Sequence, residues 1–214
     1  MKTHKTLLLA SVLLFVAGFL PAAEPFSVVV LPDTQNYAEK FPDTYLAQTQ
    51  WIRDNVEKEN IKFVMHLGDI VQHHNQSEEQ WQVADRAHRL LDGVVPYSVL
   101  PGNHDLEYKD KVYSRETKFY NKYFGPQRFA DCPWYGGHWG KTNDNNFCTF
   151  EAGGMKFLVI SLEYAPRDEV LTWATGVAAA HPDHRVLAAT HCYMRPAGRD
   201  SQTGGTLGNS DDGI

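Results

Sequence analysis

Ile61-Lys62-Phe63-Val64-Met65-His66-Leu67-Gly68-Asp69 decides how the rest of the chain is read. Residues 61–67 are an apolar run short enough to be a strand buried on both faces, and Gly68-Asp69 stops it. Strands of that kind sit in parallel sheets covered by helices. Working upstream, Val28-Val29-Val30-Leu31, halted by Pro32, predicts another buried strand. Between the two, Leu46, Trp51, Ile52 and Val56 recur at helical spacing and predict a helix over 44–59. Downstream, Ser77-Glu78-Glu79-Gln80 has the form of a capping box, with Ser as N-cap, and predicts a helix over 77–91 ended by Asp92-Gly93. Residues 94–100 then predict a third strand, closed by Pro101-Gly102. This alternation is a parallel α/β pattern.

Residues 107–146 break the rhythm. They are rich in Tyr, Trp, Gly and Asn and predict an extended loop region with one helix over 114–123. Residues 147–151 and 155–162, separated by Gly153-Gly154, predict a hairpin. A helix over 168–180 and a strand over 185–189 follow. With no internal repeat, low-complexity tract or linker, 24–214 reads as one domain.

Loops leaving the carboxyl ends of parallel strands converge on one crevice. Here they deliver Asp33-Thr34-Gln35, Gly68-Asp69, Gly102-Asn103-His104-Asp105 and Thr190-His191. Carboxylates, an amide oxygen and a neutral imidazole together suit Mn, Fe or Zn better than Ca or Mg alone. A central carboxylate can bridge two such ions, and a pair roughly 3.5–4 Å apart generates hydroxide at neutral pH and clamps both oxygens of an in-line displacement.

In this order the motifs D-x-[H/Q], GD, GNH[D/E] and a lone His after a strand resemble the calcineurin-like metallophosphoesterases, with the stretches 67–71 and 100–105 especially similar to exported bacterial members. The resemblance implies a four-layer α/β/β/α sandwich and a metal-dependent phosphoesterase that hydrolyses mono- or diesters through a hydroxide held by two divalent or trivalent ions. It further implies that Asp33 is a terminal ligand of the first metal, Asp69 bridges both, and Asn103 and His191 bind the second. His104 would stabilise the transition state and protonate the leaving group, with Asp105 holding its imidazole. Two departures stand. Gln35 occupies a position where the family usually has His, and is read either as a weak ligand or as a group beside the ligands. A closing G-H-x-H motif is absent, so the second sheet is expected to be incomplete, and the polar stretch 204–214 reads as the end of a truncated domain.

Of the histidines outside these motifs, four could bear on the site. His66 reads as packed within its strand. His73 and His74 follow Asp69 closely; His74 is a candidate substrate contact, the alternative being a surface loop for both. His138, among Trp134, Tyr135 and Trp139, is a second candidate for contacting substrate, the alternative being that this aromatic cluster covers a sheet edge.

The N-terminus is a separate element. Lys2, His4 and Lys5 precede an apolar run over 7–20 and the small residues Pro21-Ala22-Ala23, so 1–23 reads as a secretory signal peptide, too short in its apolar part for a membrane span. The protein is therefore expected to be exported, to the periplasm or beyond, without stable membrane insertion. Losing Lys2 and Lys5 takes the formal charge from −6 to −6 − 2 = −8. That acidity and the absence of any Lys/Arg run argue against a nucleic-acid partner and against a nuclease; the expected substrate is a small phosphate ester. In an oxidising compartment Cys132 and Cys148 either pair, leaving Cys192 free, or all three remain thiols. A non-catalytic metal-binding or interaction module is the rival to the enzyme.

Overall fold

The computed structural model describes residues 24–74, 77–109, 112–195, 198–199 and 206–207, so the signal-peptide reading and most of 204–214 lie outside the described residues. In chain order the elements are β1 (Ser27–Leu31), α1 (Gln35–Lys40), α2 (Pro42–Asn55), β2 (Ile61–His66), α3 (Glu78–Arg89), β3 (Tyr97–Ser98), β4 (Tyr108–Lys109), β5 (Val112–Ser114), α4 (Lys118–Phe124), α5 (Pro126–Phe129), β6 (Tyr135–His138), β7 (Asn146–Ala152), β8 (Met155–Leu162), α6 (Asp168–Ala180) and β9 (His184–Thr190). Short strands β10 (Met194–Arg195) and β11 (Gly198–Arg199) pair with each other, and β12 (Thr206–Leu207) pairs with β5.

Two sheets carry the architecture. The first runs β1-β2-β3, all parallel. The second runs β6-β7-β8-β9, with β8 and β9 parallel and the others antiparallel. Alternation along β2 sends side chains to opposite sides. Phe63 and Met65 enter an inter-sheet cluster with Cys148, Phe150, Phe157 and Val159. Val64 faces a helical layer with Tyr45, Ile52, Trp81, Leu91, Tyr120 and Phe124. Ile61 joins that layer because the pairing with β1 shifts register between Ser27 and Val28 and breaks the alternation there. On the far face of the second sheet, Leu158, Ile160 and Leu162 pack on Val170 and Ala174 of α6. The layers are therefore helices, sheet, sheet, helix, as the α/β/β/α expectation has it.

Local departures have local causes. Pro42 takes the first turn of α2, where its missing N–H costs nothing, so the helix starts earlier than the apolar spacing implies. Ser77 sits at the N-cap of α3 without a side-chain cap bond. Gln80 does not close the expected capping box either: its Oε1 accepts from the backbone N–H groups of Gln72 (2.9 Å) and His73 (3.1 Å), tying the loop after β2 to the helix. The middle segment is more structured than a loop, holding β4, β5, α4, α5 and β6. All three cysteines are free, Cys148 buried between the sheets.

A buried polar cluster lies under the first sheet. His88 of α3 is enclosed by the rings of Tyr45, His66, Tyr97 and Phe124, donates through Nδ1 to the Ala84 carbonyl (3.1 Å), and faces the guanidinium of Arg128, itself bonded to Asp85 and Asp92. Burial first, and Arg128 second, lower its pKa to about 4. The unfolded chain takes up a proton near pH 6.5 and the folded chain only near 4, so stability falls as pH drops through that window, by about 1.4 kcal/mol per pH unit. Urea unfolding midpoints measured from pH 7 to 4.5 should fall more steeply for the wild type than for His88→Gln; equal slopes would remove His88 from the acid sensitivity.

Candidate metal centre

Each predicted loop emerges from a strand at the same end of the sandwich. The two central carboxylates sit on strained backbone: Asp33 has φ +48° and Asp69 φ +50°, a left-handed region that Asp tolerates better than most residues. Gly68 and Gly102 explain why the second and third loops can touch. A Cβ on Gly102 would lie 2.1 Å from Asp69 Oδ1 and 2.4 Å from the Asp69 nitrogen. A Cβ on Gly68, itself at φ +91°, would lie 2.7 Å from the Gly102 nitrogen and 3.1 Å from His191 Cβ.

Asp69 is the hub. Its Oδ1 accepts the His104 backbone N–H at 3.0 Å, and Oδ2 lies 3.3 Å from both His191 Nε2 and Gln35 Nε2. His191 Nδ1 is 2.9 Å from the Leu67 carbonyl and 3.7 Å from Asp33 Oδ1. The bond to Leu67 fixes the ring and aims Nε2 at the carboxylate, as is usual for a metal-ligating imidazole. One ligand atom from each of Asp33, Asp69 and His191 falls within 4.8 Å of the others. Ligands about 2.1 Å from one cation stand roughly 3.0–3.5 Å apart, so the Asp69–His191 spacing suits a shared ion. The electrostatics fit too. Burial and then Asp69 raise the Asp33 carboxyl against the pull of His191 and His104. Burial alone would lower His191, but Asp69, the Leu67 carbonyl and Asp33 together raise it to about 9. A cation would take the place of that proton between the two carboxylates.

The remaining candidates are placed as follows. Gln35 presents its amide nitrogen to Asp69, the geometry of a group that orients the carboxylate. Asn103 opens a single 3₁₀ turn, Asn103–Asp105, between Gly102 and His104, both of which touch Asp69. His104 donates through Nδ1 to the Gln72 carbonyl at 3.0 Å, leaving Nε2 as the nitrogen able to carry and release a further proton.

Asp105 does not hold the His104 imidazole. Its buried carboxylate accepts the backbone N–H groups of Ile70 (2.9 and 3.0 Å), Val71 (3.0 Å) and Gly102 (2.8 Å), and so staples the second loop to the third. Burial, then the Asp69 charge, push it up to about 7 against those N–H groups. An aspartate one residue after a histidine on a tight turn points away from it, and the nearest unsatisfied donors are backbone. His74, expected on a loop surface or near substrate, is buried against Trp81 and Phe119; His73 is the exposed one, 3.4 Å from Glu39. His138 lies on β6, stacked on Tyr135, with Asn146 opposite; β6 is three strands from β9, which leads to His191.

Sequence reading gave His66 only a packing role. It is buried, and its Nδ1 accepts the Gly68 N–H at 3.1 Å while Nε2 donates to Thr34 Oγ1 at 2.9 Å. Thr34 in turn donates to the Ile70 carbonyl at 3.3 Å. His66 thereby ties the Asp33 loop to the Asp69 loop. Its one available signal was a polar residue inside an otherwise apolar strand end.

The two-sheet sandwich thus brings carboxylates and an imidazole from separate strand tips to one place, where they could hold metal ions. Residues 26–207 match the family model described as calcineurin-like phosphoesterase, and the chain belongs to that family. Membership implies a dinuclear metal centre. The chain is 37% identical over 185 residues to the uncharacterized protein YvnB of Bacillus subtilis (strain 168), covering 86% of this chain and 14% of that protein's length. Among solved structures it is similar to a purple acid phosphatase from yellow lupin (Lupinus luteus) seeds, with TM-score 0.49 and 16% identity over 85% of this chain and 34% of that one. It is also similar to a dimetal phosphatase from Danio rerio, with TM-score 0.46 and 15% identity over 80% and 71% of the two chains. No helix among the described residues is long and apolar enough to cross a membrane.

Proposed function

We propose that this chain hydrolyses phosphate mono- or diesters with two divalent or trivalent ions (Mn, Fe or Zn) held by Asp33, Asp69, Asn103 and His191. The observation that carries the reading is the meeting of Asp33, Asp69 and His191 ligand atoms within 4.8 Å. When bound, the ions supply positive charge for the phosphate oxygens and lower the pKa of an attacking water. The chain's own residues do the rest. Asp69 would hold both ions, and the His104 N–H and Gln35 keep its orientation. His191 is aimed by the Leu67 carbonyl. His104, anchored on Gln72, gives its Nε2 proton to the leaving oxygen. Residues 1–23 act as an export signal, which N-terminal sequencing of the secreted protein tests.

Metal analysis, followed by a panel of generic mono- and diesters, tests the function. Metal bound without hydrolysis of either ester class favours the non-catalytic module instead. His104→Ala should keep the wild-type metal stoichiometry and lower kcat by roughly 10²–10⁴, the usual contribution of a general acid. An unchanged kcat would take His104 out of the chemistry.

A further inference from the structure

His191 is held from both sides by one short turn. The residue before it, Thr190, donates through Oγ1 to the Glu163 carbonyl at 2.7 Å. The residue after it, Cys192, accepts the Ala165 N–H at 3.2 Å. Between these two anchors the Tyr164 ring lies 6.1 Å from the His191 ring. The turn 163–165 at the end of β8 is thus a frame with His191 inside it. It is not a relaxed piece of backbone, since Ala165 has φ +46°. Residues held in that region persist only where surrounding contacts over-determine them.

Arg115 supplies those contacts. It lies between β5 and α4, inside the stretch 114–123 that the sequence reads as a helix and ahead of where the helix begins. Its Nη1 donates to the Tyr164 carbonyl at 3.1 Å and its Nη2 to the Ala165 carbonyl at 2.9 Å. Nη1 also pairs with the buried carboxylate of Glu163 at 3.0 Å. One guanidinium therefore grips three consecutive residues of the frame, which needs a planar fork and not a point charge. Glu163 is fixed in turn by Arg167 Nε at 2.8 Å and by Asn145, whose Oδ1 takes the Glu163 N–H at 2.8 Å. Burial lowers the Arg115 pKa, as expected for a guanidinium withdrawn from water and kept for its contacts.

We propose that Arg115 is a positioning residue for the metal centre: through the turn 163–165 it sets where His191 presents Nε2 to Asp69. The proposal rests on the metal-centre reading above and goes beyond it, because the hydrogen bonds and ion pair of Arg115 go to Glu163, Tyr164 and Ala165, which are not candidate ligands. Loss of a partner that orients a ligand typically lowers metal affinity by about 10–100-fold.

The first test needs neither metal nor turnover. In metal-free protein labelled with ¹⁵N-histidine, the His191 imidazole signals are assigned by their loss in His191→Ala. Arg115→Gln should move those signals while leaving the signals of buried His66 and His88 in place. Arg115→Lys, which keeps a cation beside Glu163 should Gln disturb folding, should move them less. Unmoved His191 signals in either folded variant overturn the proposal, whatever the chain does to phosphate esters. The second test is a double-mutant cycle on Co²⁺ affinity. Arg115→Gln should weaken Co²⁺ binding by about 10–100-fold in the wild-type background and have little effect in His191→Ala. Equal losses in both backgrounds would mean that Arg115 acts by another route. A wild type that fails to load Co²⁺ counts against the phosphoesterase reading and leaves the imidazole test to decide this one.

Discussion

Asp69→Asn should leave the fold in place and strip the centre of metal. The substitution keeps the shape of the side chain but removes its charge and replaces one oxygen with a donor. That donor would meet the His104 backbone N–H at 3.0 Å, or Gln35 Nε2 and His191 Nε2, each 3.3 Å away. The His104 N–H, the Gln35 amide and the His191 imidazole all present protons to Asp69, so an amide donor is wrong on either face. If Asp69 is shared by two ions, both lose a ligand at once, unlike the loss of a terminal group such as Asp33. Metal-ion charge supplies several kcal/mol of transition-state stabilisation, so hydrolysis should fall by on the order of 10³ or more. Metal content by elemental analysis and the mono- and diester rates check it together. Wild-type metal content with near-normal rates in the variant would end the shared-ligand assignment.

Gly102→Ala should be nearly as severe without replacing a ligand. The added methyl would sit 2.1 Å from Asp69 Oδ1 and 2.4 Å from the Asp69 backbone nitrogen, where carbon needs well over 3 Å. The side-chain oxygen can rotate; the backbone nitrogen cannot. The loop bearing Asp69 must then part from the loop bearing Asn103 and His104 by about 1 Å, and misplacements of that size can cost 10²-fold in rate. The staple from Asp105 to Ile70, Val71 and Gly102 strains in the same movement. Overpacking of this kind destabilises by about 1–3 kcal/mol. The expected result is a folded variant with a lower thermal midpoint and a rate down by about 10²-fold. A variant with unchanged stability and rate would show that the two loops are not in contact in solution.

Strand β2 and the convergent loops were legible in the sequence because burial on both faces leaves a short apolar run, and four strand ends in order carry metal-compatible groups, where Gly-Asp alone would say little. Strand β1, read as buried too, leaves Val30 exposed. The β7–β8 hairpin was legible for a similar reason, with Gly153-Gly154 closing it. Other elements left weaker marks. Helix α1 is six residues with one buried side chain, Ala38, too short for a periodic pattern. Only Tyr97 and Ser98 of the predicted third strand are paired, since strand pairing needs a neighbour that sequence does not display. In the middle segment, order comes from long-range hydrogen bonds: Asn146 Nδ2 donates to the Val99 carbonyl and Asn143 Nδ2 to the Phe124 carbonyl. No local periodicity announces such partners.

By itself, the sequence determined which chemical groups stand at the strand ends and in what order, because motif spacing and burial periodicity are local properties of the chain. Only the tertiary structure decided which of those groups meet: that His191 faces Asp69, that Asp105 binds backbone and not His104, that His66 joins two loops, and that Arg115 grips the turn around His191. Those choices follow from hydrogen-bond geometry between segments far apart in the chain, where a difference of an ångström selects one partner over another and leaves no trace in the pattern of apolar and polar residues.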